Sequence, residues 1–193
     1  MMTEPQVIRK VITAGKVDAT LANVFSRQLG RIIVATFASN VHRVQQIIDA
    51  AVANGRKVAV SGRSMETIVE ISLLLGYMKV PSGVLINIDS IKKYPPEKIV
   101  IITTGSQGEP MSALYRIAFE EHEKVRISPN DVVVLSASPI PGNEKLVGKI
   151  VNALIRNGVK VVNDSVEGVH VSGHACQEEL KLMQGLTRPK YFM

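Results

Sequence analysis

The 193 residues contain one cysteine, Cys176, so there is no internal disulfide framework and no cysteine pair for a zinc ribbon or finger. Any metal would need histidine and carboxylate ligands. Tryptophan is absent and aromatics make up 4% of the chain. A stacking platform for single-stranded bases would therefore be sparse, and a nucleic-acid partner would be met mainly through its phosphates. No apolar run approaches the roughly 20 residues that cross a bilayer, and the opening MMTEPQVIRK lacks the apolar stretch of a secretory signal. These absences lead us to expect a soluble, cytoplasmic protein with no membrane partner.

A hydrophobic content of 46% is ample for a substantial core. The net charge of +6 and pI near 9.5 favour polyanionic partners. The excess is spread along the chain rather than gathered into a basic tract, so it is weak as a pointer on its own.

RIIVATF (31–37), KVAVS (57–61), KIVIITT (98–104), DVVVLSAS (131–138) and VKVVND (159–164) are continuous apolar runs, the pattern of strands buried on both faces. Helical runs separate them: VHRVQQIIDAAVA, SMETIVEISLLL, PMSALYRIAFEEH and NEKLVGKIVNALIRN. Asn40 suits an N-cap, and Gly55 and Gly158 suit helix stops. This order predicts an α/β fold, a three-layer sandwich with a mostly parallel, Rossmann-like open sheet. Residues 1–30 read as an irregular lead-in with one helical run, 31–165 as the α/β domain and 166–193 as a closing strand and helix.

In such sheets ligands gather beyond the C-terminal strand ends, and the unusual loops all fall there: GRSM, GSQGEP, PIPGNE and SGH. TTGSQGEP (103–110) is neither GxxxxGK[ST] nor GxGxxG; a tight turn and an anion-binding loop both fit it, with Glu109 as a first-turn carboxylate. Arg63 is either a solvated surface cation or an anion contact. Ser106 and Ser138 sit at strand C-termini and could face the same ligand. SPIPGNE (138–144) reads as a stiff turn.

HVSGH, residues 170–174, pairs imidazoles at i and i+4. A zinc-peptidase helix would need Glu where Val171 stands, and Gly173 also argues against a helix. In an extended segment His170 and Ser172 share a face, and a turn at Gly173 can bring His174 to the same side. With a helix starting near Ala175, this makes a phosphate or oxyanion pocket but an incomplete metal site. The alternative is an N-cap at Ser172 with two hydrogen-bonded histidines. Cys176 reads as a small half-buried residue or a nucleophile near a helix start.

RIIVATFASNVHRVQQIIDAA, KVAVSGRSM, IVIITTGSQGEPMSAL, VVVLSASPIPGNE and HVSGHACQEELKLM together resemble, in order and spacing, the β-CASP region of bacterial ribonuclease J; the likeness runs from about Gly30 to Met193. In that family the β-CASP domain is inserted into a metallo-β-lactamase domain, where two zinc ions held mainly by an HxHxDH motif activate water against an RNA phosphate. No HxHxDH occurs here. The resemblance implies a fragment that lacks the metal-binding domain, binds no metal itself and is inactive alone. The parent would be a homo-oligomeric endonuclease and 5′-to-3′ exonuclease containing two zinc ions. Partners would be single-stranded RNA, held through its phosphates, and the missing domain, toward which 166–193 would return. By motif match His174 would contact the scissile phosphate and assist the leaving oxygen. His170, Val171, Ser172, Gly173 and His174 would form the phosphate-binding segment, with Arg63, Ser106 and Ser138 on the facing wall. A rival reading is a free-standing Rossmann-like module for a small phosphorylated metabolite or nucleotide.

Overall fold

A computed structural model describes residues 22–163 and 177–191. The strands are β1 (Ile32–Ala35), β2 (Lys57–Ser61), β3 (Leu85–Ile86), β4 (Ile99–Thr103), β5 (Val132–Leu135) and β6 (Lys160–Asn163). They form one six-stranded sheet in the order β3-β2-β4-β1-β5-β6, and every pairing is parallel. Residues 22–27 are helical (α1). The other described helices are α2 (Val41–Ala53), α3 (Arg63–Leu74), α4 (Ala113–Ala118), α5 (Glu144–Arg156) and α6 (Gln177–Thr187).

Alternate strand residues serve opposite faces, and each face has its own apolar layer. Ile32, Val34, Val58, Val100, Ile102, Val132 and Val134 pack with Phe25 of α1, Val44, Ile47 and Ile48 of α2, and Met65 and Val69 of α3. Ile33, Ala59, Ile101, Val133 and Leu135 pack with Leu114 and Ile117 of α4 and Val147, Ile150 and Leu154 of α5. This gives the expected three layers, with a sheet parallel throughout rather than mostly. The inner strands β1, β4 and β5 are buried at every position and apolar along nearly their whole length because neither face meets water.

Three local readings change. The edge strand β3 is an addition to the expected set; its two residues pair with Val58 and Ala59 of β2. The helix read over 110–122 is confined to Ala113–Ala118: Ser112 Oγ accepts from Tyr115 N–H at 3.3 Å as N-cap, and Phe119 is the C-cap, followed by Glu120 at φ 61°. Glu109 therefore precedes the first turn of α4 instead of lying in it. The expected caps of α2 hold, with Asn40 Oδ1 accepting from Arg43 N–H at 3.0 Å.

Ile101 lies on β4 between Ile33 of β1 and Ala59 of β2 and is fully buried. Truncation there empties volume on a face that cannot collapse without moving α4. Ile101→Ala should destabilise the fold by about 2–5 kcal/mol, measured by urea unfolding. A loss under about 1 kcal/mol would show that this layer is not tightly packed.

Candidate functional site

Parallel pairing puts every strand-to-helix loop at one edge of the sheet. The hydrogen-bond ladder runs on into these loops: Thr36 N–H donates to the Thr103 carbonyl at 3.1 Å and Ser136 N–H to the Ala35 carbonyl at 2.9 Å. The Thr36 hydroxyl reaches the Ser136 carbonyl at 3.4 Å. Thr36, Ser61, Thr103, Ser106 and Ser136 are all buried, so a hydroxyl-rich floor tops the apolar core.

Gln107 ties two of these loops together. Its buried amide donates to the Ser138 carbonyl at 3.0 Å, and its carbonyl oxygen accepts from Ile140 N–H at 2.7 Å and from the Asn143 amide at 3.4 Å. GSQGEP and SPIPGNE are thereby one unit. Glu109 Oε2 accepts from Gln107 N–H at 3.2 Å, holding its own loop. Gly108 has φ 77°, and a Cβ there would stand 2.5 Å from the Leu146 carbonyl carbon. The loop can press on the backbone of α5 only because no side chain intervenes.

Of the residues singled out in the sequence, Arg63 is exposed at the first position of α3, Ser138 is half-buried beside its bonded carbonyl, and Ser106 is buried in the floor. Arg63 lines clefts with Arg116; neither serine joins those linings. His170, Val171, Ser172, Gly173 and His174, with Cys176, lie outside the described residues. Among the described residues, no three of His, Cys, Asp and Glu are grouped to hold a metal ion. No described helix is long and apolar enough to cross a membrane.

His122, absent from the sequence-derived candidates, latches the turn after α4 to the end of β2. Its Nδ1 accepts from Lys124 N–H at 3.2 Å and Val125 N–H at 3.1 Å, and its Nε2 lies 2.9 Å from Ser61 Oγ. With Nδ1 occupied as acceptor, the neutral ring carries its proton on Nε2 and donates to the serine. Ser61 is thus not activated as a nucleophile, since the nitrogen facing it has no lone pair to take a proton. The residue escapes sequence reasoning because Ser61 lies 61 positions away.

Burial, and then the nearby Arg116 cation, hold the His122 imidazole below its ordinary pKa of 6.5; Lys124 adds to this, while Glu66 and Glu123 oppose it. Protonation would also require Nδ1 to give up its two backbone donors. Because the folded pKa is depressed, the latch's stability is fully present above pH 6.5 and is lost as pH falls through the folded value. His122→Gln should lower the melting temperature at pH 8, and its deficit relative to the parent should shrink as the pH drops below that window. A deficit independent of pH would show that the latch does not depend on a neutral ring.

The family model described as "Ribonuclease J, beta-CASP domain" matches residues 29–154. The chain is 49% identical over 169 residues to Ribonuclease J of Helicobacter pylori, covering 88% of this chain and 24% of that protein. Ribonuclease J of Thermus thermophilus is 49% identical over 173 residues, 90% and 30% respectively, and Ribonuclease J2 of Bacillus subtilis 42% over 177 residues, 92% and 32%. The chain spans about a quarter to a third of the length of these relatives.

Proposed function

Because this chain belongs to the β-CASP domain family of ribonuclease J, we propose that it is the RNA-clamping part of a zinc-dependent ribonuclease. The parent would act in cytoplasmic RNA processing and decay as endonuclease and 5′-to-3′ exonuclease, as a homo-oligomer. The carrying observation is the family match over residues 29–154, laid on a sheet whose strand-to-helix loops share one edge. The net charge of +6 agrees with a polyanionic substrate.

In this reading the 170–174 segment holds a phosphate, with Ser172 offering a hydroxyl and Gly173 a backbone N–H. His170 grips the same nucleotide. His174 lies against the scissile phosphate, where an imidazole N–H can stabilise a non-bridging oxygen or pass a proton to the departing oxygen. Among the described residues no three of His, Cys, Asp and Glu are grouped to hold a metal ion. The two zinc ions belong to the metallo-β-lactamase part of the parent, and the 193 residues alone have no hydrolytic activity.

In the complete parent, His174→Ala should reduce RNA cleavage by about 10²–10⁴-fold while bound zinc, measured by elemental analysis, stays unchanged. Normal cleavage by that variant would remove His174 from the mechanism. The isolated chain should bind single-stranded RNA with log affinity falling against log salt by roughly 0.7 per phosphate contacted. Salt-independent binding, or tight binding of a free nucleotide without RNA affinity, would instead favour a small-ligand module.

A further inference from the structure

Neighbouring strands β2 and β4 send their helices to opposite faces: α3 packs through Met65 and Val69 on one, α4 through Leu114 and Ile117 on the other. Where adjacent connections diverge in this way, the loops part and leave a crevice at the C-terminal edge. Here the crevice is a cleft of about 570 Å³ between the starts of α3 and α4. Its polar lining consists of Arg63, Arg116, Ser64, Thr67, Thr104 and Ser112, with no carboxylate among the described residues that line it.

Among the described residues neither arginine has a side-chain hydrogen bond or ion pair, and the buried Arg116 Nε has no partner there. A half-buried guanidinium left without a counter-charge is costly unless something completes it. Glu66, the first-turn carboxylate of α3, has Oε1 engaged with Gly62 N–H at 3.2 Å; it and Glu123 line the adjoining cleft, which both arginines also border, without forming an ion pair with either. The walls are fixed: Gly62 has φ 114°, and a Cβ there would meet Thr104 Oγ1 at 2.6 Å. Met111, 73% exposed at φ 65°, forms an apolar rim beside the arginines.

We propose that this cleft is a second phosphate subsite, in which Arg63 and Arg116 together grip a backbone phosphodiester of single-stranded RNA. The assignment rests on the RNA reading above and adds a contact point to it. Two guanidiniums from opposite walls suit a tetrahedral anion with several acceptor oxygens, and the Thr104 and Ser112 hydroxyls suit its remaining oxygens. The cleft would hold one phosphate of the strand, setting its path along the C-terminal edge of the sheet.

The test is a titration of the 193-residue chain with a short oligouridylate, followed by amide NMR shifts and by affinity at several salt concentrations. Shifts should concentrate at Gly62, Arg63, Thr104 and Ser112. The double variant Arg63→Gln/Arg116→Gln should bind on the order of tenfold more weakly, with a salt slope smaller by roughly 0.7 per lost contact. Arg116→Lys, with the same fold and charge, should keep most of the slope, which separates lost charge from lost structure. If RNA binds but the cleft amides stay still and the double variant keeps affinity and slope, the subsite is wrong and the RNA reading stands. If the unaltered chain does not bind RNA, both fall. If inorganic phosphate moves the cleft amides and the oligonucleotide does not, the cleft serves a free anion and the proposal is overturned.

Discussion

The structure depends first on parallel pairing within a sheet that is covered on both faces. A parallel neighbour can be reached only by carrying the chain back across a face, so each strand is followed by a crossover and every strand-to-helix loop lands at the same edge. The core and the candidate site thus follow from one constraint. Ile33, Ile101 and Val133 on one face, with Val34, Ile102 and Val134 on the other, fix the strands that deliver GRSM, GSQGEP and SPIPGNE to a common rim.

Bringing loops to one rim does not by itself order them. Loops rich in serine and glycine start with much conformational freedom, and a ligand arriving at such a rim would lose affinity in ordering it. Gln107 removes much of that freedom with one side chain, reaching from its own loop to bond the SPIPGNE loop through both its donor and its acceptor. Gly108 on the α5 backbone and Gly62 against Thr104 restrict the rest by close contact. The rim is therefore preorganised by groups whose partners all lie within the chain.

How much of this the sequence reveals depends on the range of the interaction concerned. β1, β2, β4 and β5 are legible because burial on both faces leaves a continuous apolar run, the edge strand β6 from its short β-branched run, and α2 because Asn40 and the apolar spacing agree within a few residues. β3 is not: Leu85 and Ile86 are too short a run to stand out, and they become a strand only by pairing with Val58 and Ala59. The helix at 113–118 reads too long because its ends are set by a serine cap and a positive φ at Glu120, which apolar spacing does not encode. Arg63 is legible as a cation at the ligand edge, although it opens α3 rather than lying in a loop, while its companion Arg116 looks like an ordinary residue of a helical run until the sheet order places β2 beside β4. Gln107 and His122 act on partners 31 to 61 positions distant, and no local pattern announces such bonds. The HVSGH reading, carried by motif and resemblance, falls on residues outside those described.

The rim also sorts its polar groups by whether the chain completes them. Thr36, Gln107 and His122 have their hydrogen bonds filled internally; a ligand could engage them only by breaking what holds the loops, so their contribution is shape. Among the described residues Arg63 and Arg116 have no side-chain partner and no carboxylate lines their cleft, with Arg116 Nε buried and unfilled, so an incoming anion would break no bond they make there. Arg116 stands on the boundary between the two classes, close enough to His122 to disfavour its protonation. The internal latch and the open cleft thus meet at one side chain, and of the two only the cleft has unfilled bonding capacity among the described residues.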